Sequence, residues 1–118
     1  MFRNEMEKRL KDFTCNVIKS CLKLPNNETK KILINQITRS SISVSLNFAE
    51  SQSAESKKDF IHKLSISLKE LRETKMALEI ISDLFENYNM SDIKNQVSES
   101  NELIAILVKS IQTAKKDK

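Results

Sequence analysis

The chain has 118 residues, which suits a single domain able to bury one continuous core. It contains no Gly, no Trp and one Pro, with Leu, Ile, Lys, Glu and Ser abundant, a composition that excludes Gly-dependent phosphate loops and is hard to build into sheets or tight hairpins. The formal charge of +4 is unevenly spread: residues 8–39 carry eight Lys or Arg against two acids, and residues 76–102 carry one Lys against six acids.

The first helix is predicted over about residues 4–24, where Met6, Leu10, Phe13, Val17, Cys21 and Leu24 recur three or four apart and form one apolar stripe. Pro25 ends it. Cys15 and Cys21 are six apart, about 240° around that helix, so they read as reduced, buried packing residues and not as a bridge or a zinc pair. The start of the chain interleaves charge with apolar residues and lacks a signal-peptide core, and no stretch reaches membrane-spanning length, so a cytoplasmic protein without membrane contact is expected.

A second helix is predicted over about 27–50, with Asn26 or Asn27 as N-cap and Glu28 in its first turn. Its pattern is unusual. Gln36, Arg39, Ser43, Asn47 and Glu50 make a polar line flanked by Ile37, Val44 and Phe48 on one side and by Ile42, Leu46 and Ala49 on the other. Solvation of that line in a monomer would leave one apolar flank bare, so a buried or intersubunit polar network is expected there, with Ser40, Ser41 and Ser45 allowing close helix approach.

The third helix is predicted over about 56–87, capped by Ser56 with Asp59 in the capping-box position. Phe60, Leu64, Ser67, Leu71, Thr74, Leu78, Ile81 and Phe85 alternate four and three apart as a near-heptad seam. Lys58, His62, Ser65, Lys69 and Arg72 fall on the opposite, outward side. The fourth helix is predicted over about 91–115, capped by Ser91, with Ile93, Val97, Ser100, Ile104, Leu107 and Ile111 facing inward. Short connections between four amphipathic helices predict an all-α antiparallel up-and-down four-helix bundle spanning residues 1–118 as one domain.

The ordered set Pro25-x-x-Glu28, Leu33-x-x-Gln36, Arg39, Ser43 and Asn47-x-Ala49-Glu50, continued by Lys58, Phe60, Leu64, Ile66, Leu71 and Glu73, resembles the family of bacterial four-helix bundle proteins encoded in intervening sequences of 23S ribosomal RNA genes. The resemblance covers roughly residues 10–90. Where that family commonly has Gly, Pro and Gly-Ser, this chain has Ser51, Ser45 and Lys69-Glu70. The family is similar to the accessory variability determinant proteins of diversity-generating retroelements, so the resemblance implies a homo-oligomer, with a pentamer as one form, and a basic surface for nucleic acid. It implies no established activity.

From the residues, the candidate binding groups for RNA or DNA are Lys8, Lys19, Lys23, Lys30, Lys31, Lys57, Lys58, Lys69 and Arg72, acting by phosphate neutralisation if they join on one surface. Asp59 with Lys63 and Lys69 with Glu73 make competing i,i+4 pairs, which would turn the same groups into an ordinary solvated face. The candidate assembly network is Gln36, Arg39, Ser43, Asn47, Glu50 and Glu73. The aromatics sit mostly at core spacing, so no stacking platform for bases is apparent. A lone histidine and the absence of metal-ligand spacing argue against a catalytic or metal site and for no cofactor. The reading is a non-enzymatic homo-oligomer associated with nucleic acid. The alternative is an adapter or structural oligomer docking a protein such as a polymerase or reverse transcriptase, through its acidic surface or the face of the second helix.

Overall fold

The computed structural model describes residues 2–116, which form four helices and, among the described residues, no strand. These are α1 (Phe2–Leu22), α2 (Glu28–Gln52), α3 (Lys57–Leu84) and α4 (Ser91–Lys116). Each helix packs against its chain neighbours and α4 returns to α1, so α1 lies diagonal to α3 and α2 to α4 in a rod of 51 × 21 × 20 Å.

Polar contacts fix the helix directions. Thr14 on α1 meets Ser41 and Ser45 on α2, while Lys30, earlier on α2, meets the end of α1. Glu50, Val44 and Arg39 of α2 meet Lys63, Ser67 and Glu70 of α3 in that order. Arg9 and Lys23 of α1 meet Glu99 and Asp92 of α4. In each pair the numbers run in opposite senses.

The core follows the apolar spacing. Met6, Leu10, Phe13, Val17, Cys21 and Leu24 of the α1 stripe are all buried, as are Leu64, Leu71, Leu78, Ile81 and Phe85 of the α3 seam. On α4 the spacing missed Leu103, which is fully buried, whereas Ile104 beside it is half-buried. Hydroxyls stitch α2 to both neighbours. Thr14 donates to the Ser41 carbonyl at 2.9 Å, Ser67 donates to the Val44 carbonyl at 2.8 Å, and Ser40 and Thr74 share a bond of 2.8 Å. Small side chains at the crossing let these hydroxyls reach the backbone, and among the described residues no fully enclosed side-chain polar atom lacks a partner.

The helix ends follow capping chemistry. Asn27 Oδ1 accepts from Lys30 N at 2.7 Å and Ser56 Oγ accepts from Asp59 N at 3.0 Å, as their sequence positions predict. α1 stops at Leu22 and α3 at Leu84, two and three residues short of expectation. Each chain there tightens into turns, with Leu24 N on Cys21 O and Tyr88 N on Phe85 O. Ser91 is not the cap of α4. The bond from Lys94 N to Met90 O puts Met90 in the cap position, and Ser91 instead donates its N–H and hydroxyl to Asn89 Oδ1.

Cys21 is buried, but Cys15 is exposed, which corrects the expectation that both are packing residues. Burial pushes the Cys21 thiol up to about 11, against the opposing pull of the Lys30 charge.

Candidate nucleic-acid interface

The structure divides the nine candidate cations among different faces. Lys30 leaves the surface altogether: it is buried, and its ammonium donates to Leu22 O at 3.2 Å, Leu24 O at 2.7 Å and Asn26 Oδ1 at 2.8 Å. It neutralises the carbonyl end of α1. Lys8 pairs with Asp12 at 2.8 Å, Lys23 with Asp92 at 3.2 Å and Lys31 with Glu28 at 3.5 Å. The Lys8 hydrogen bond raises the pKa of Lys8 and lowers that of Asp12.

Lys19, Lys57, Lys58, Lys69 and Arg72 are exposed and make no ion pair among the described residues. They do not make one patch. Lys19 lies on α1, diagonal to α3, and the antiparallel order places Lys57 at the opposite end of the rod from Lys30 and Lys31. What remains together is the outward line of α3: Lys58, His62, Ser65, Lys69 and Arg72, spaced four, three, four and three apart, all exposed. At 1.5 Å per residue the line runs about 21 Å.

Interhelical bonds set the acids left along this line. Glu73 bonds Arg39 of α2 at 3.5 Å and not Lys69, which leaves Lys69 free, and Lys63 bonds Glu50 of α2 at 2.8 Å, which leaves Asp59 as an acid without an ion pair beside Lys58 among the described residues. The bond to Glu50 also raises the pKa of Lys63. Glu70 holds Arg39 at 3.2 Å from a position where the resembling family commonly has a small residue.

The acids of α4 are occupied differently. Arg9 forms a two-pronged bond to Glu99, at 2.7 Å from both Nε and Nη2, and reaches Glu102 at 3.2 Å. These bonds raise the pKa of Arg9 further. Arg9 and Lys23 thus bond acids of α4 across the α1/α4 seam, and the α3 line holds a run of cations without ion pairs among the described residues.

The α2 polar line is not a buried network. Gln36, Arg39 and Glu50 are exposed, and Ser43 and Asn47 are half-buried along the α2/α3 seam, where Asn47 Nδ2 donates to Ser43 O at 2.9 Å and Ser43 Oγ at 3.0 Å. Arg39 and Glu50 bond across to α3, whereas the Asn47 and Ser43 bonds stay within α2. The apolar flank is the part left uncovered: Ile42 is 40% and Leu46 57% exposed, and Leu46 and Ala49 line a groove of about 360 Å³ with Glu7, Lys8 and Lys11 of α1.

Sequence reasoning missed a second apolar strip. Met76, Ile80 and Leu84 continue the outward side of α3, and Ile32 comes level with Ile80 because each lies seven residues from the bonded pair Arg39 and Glu73. Their spacing of four alongside the seam was the available signal. Tyr88 is 56% exposed and packs near Phe85 with ring centroids 6.2 Å apart. It lies where α3 gives way to the turn before α4.

Among the described residues, no group of three or more His, Cys, Asp or Glu is placed to hold a metal ion, and no helix is long and apolar enough to cross a membrane. The fold and its surface define an all-α four-helix bundle with a cationic helix face. The chain belongs to the 23S rRNA-intervening sequence protein family, whose model matches residues 3–109. It is similar to a solved protein of unknown function from the S23 ribosomal protein family of Bacteroides thetaiotaomicron, with 28% identity and a TM-score of 0.82, covering 95% of this chain and 99% of that one. No functionally curated protein matches it.

Proposed function

We propose that the protein is a non-enzymatic, self-associating bundle that holds structured RNA or duplex DNA by its phosphate backbone. The observation that carries this reading is the α3 line, where Lys58, Lys69 and Arg72 project without an ion-pair partner while Glu70 and Glu73 bond Arg39 of α2. A straight row of free cations neutralises phosphates without reading sequence, and its affinity falls steeply with salt. Copies assembled in a ring would multiply a weak contact into a useful one.

Self-association is supported by two unlike apolar strips. The Leu46 and Ala49 strip lies beside Glu7, Lys8 and Lys11, with Lys8 paired to Asp12, whereas Ile80 and Leu84 are flanked in sequence by Glu79, Asp83 and Glu86. Two unlike apolar surfaces on one chain give head-to-tail contacts, which form a ring where the rotation between copies closes. A pentamer is one form of the homo-oligomer that the family resemblance implies. The test is an electrophoretic shift of an RNA hairpin and a DNA duplex at rising salt. The variant Lys58→Glu, Lys69→Glu, Arg72→Glu is expected to lose at least about tenfold in affinity at low salt. Unchanged binding by that variant would overturn the reading.

The second reading, an adapter for a protein partner, is favoured by the acid-rimmed Ile80 and Leu84 strip. It predicts capture of a partner that survives nuclease treatment and is lost in Ile80→Glu.

A further inference from the structure

We propose that the cleft between the two turns at one end of the bundle binds a nucleobase. This deepens the proposal of nucleic-acid association by adding a contact to an unpaired base. The cleft measures about 530 Å³ and is walled by Ser20, Lys23, Pro25, Tyr88, Met90 and Asp92.

Three observations converge on it. Ser20 is only 8% exposed, yet its hydroxyl has no hydrogen-bond partner, and since no fully enclosed polar atom of the described chain lacks one, this hydroxyl opens into the cleft. A polar group kept in so little solvent without a partner is a donor and acceptor waiting for one. The N-terminus of α4 ends in the same cleft with an apolar cap residue, Met90, so its first-turn amides receive a side-chain acceptor only at Ser91, from Asn89. Tyr88, more than half exposed and steadied by Phe85, offers a ring face beside them.

The combination selects a base over a bare phosphate. An oxyanion would suit the helix terminus, but the Asp92 carboxylate stands at the mouth and already occupies Lys23 at 3.2 Å. The walls from Leu24, Pro25 and Met90 are apolar. A flat heterocycle buries its faces against Tyr88 and those walls. Its ring nitrogens and carbonyls accept from Ser20 and the α4 amides, and an exocyclic amine donates to Asp92. The base comes either from a free nucleotide or from an unpaired position in a nucleic acid.

Titration of the full chain with adenosine 5′-monophosphate, followed by amide NMR, is expected to move the signals of Ser20, Tyr88, Ser91 and Asp92. Tyr88→Ala is expected to weaken that binding about tenfold, Tyr88→Phe to preserve it, and Ser20→Ala to reduce it. Ribose 5-phosphate producing the same shifts, no shift with the nucleotide at millimolar concentration, or unchanged binding by Tyr88→Ala would each overturn the proposal. The α3 charge-reversal variant keeps nucleotide binding while losing the duplex, so failure of the cleft and failure of the α3 line are separately visible. A hairpin with one loop adenine compared with the same hairpin abasic there identifies the source: weaker binding of the abasic form assigns the base to nucleic acid, and equal binding assigns a free nucleotide.

Discussion

Lys30 shows how one side chain changes role when its surroundings are known. In the sequence it is half of a Lys-Lys pair and reads as surface charge. In the fold it closes the end of α1 through three oxygens, two of them backbone carbonyls that the turn at Pro25 leaves without helical donors. Lys30→Met is therefore expected to lower unfolding stability by about 1–3 kcal/mol, because buried acceptors lose their donor, and to leave nucleic-acid affinity unchanged. Urea unfolding and the electrophoretic shift read the two parts. Cys21 gives a pH prediction. Its thiol titrates near 9.0 when unfolded and about 11 when folded, since burial disfavours the thiolate. A folded pKa above the unfolded one means stability that is complete below pH 9 and lost as pH rises towards 11. The loss approaches about 2–3 kcal/mol and should be absent from Cys21→Ala in the same titration.

Among the elements, α1 and α4 are joined by charge where α2 and α3 are joined also by buried hydroxyls. The two-pronged Arg9–Glu99 bond is the shortest of those charge contacts, with side chains about one-third exposed. A double-mutant cycle with Arg9→Met and Glu99→Gln is expected to give a coupling of about 1 kcal/mol that shrinks in high salt. A coupling near zero at low salt would remove the clasp from the account. The pairing also marks the limit of what the sequence makes legible. Helix number, the α1 stripe, the α3 seam and the Asn27 and Ser56 caps follow from local periodicity and capping chemistry, which act within a few residues. Arg9 and Glu99 are ninety residues apart, and nothing local says that the basic and acidic halves meet across a seam. The same long-range pairing decided the candidate site, because Glu73 turned to Arg39 and left Lys69 free. Lys58, Lys69 and Arg72 were readable as one face, whereas their separation from Lys19, Lys30 and Lys31 required the helix order.

For the whole molecule, the governing feature is that α2 and α3 each carry apolar side chains on sides the bundle does not cover. Leu46 at 57%, Ile32 at 69%, Met76 at 58% and Leu84 at 60% exposure are more than a scatter of single residues, because they gather into two strips on different faces. A symmetric dimer buries one patch against itself and leaves the other in water. A head-to-tail ring buries both in every copy. Light scattering is accordingly expected to give a mass above two copies for the full chain. A charge placed in either strip, Leu46→Glu or Ile80→Glu, should return the monomer with little change in helix content, since neither side chain belongs to the core. Mixing the two variants discriminates further. Each retains the strip the other lacks, so together they can form only one good head-to-tail contact and should recover dimers but no closed ring. A wild-type monomer, or full assembly by both single variants, would leave the strips without this role.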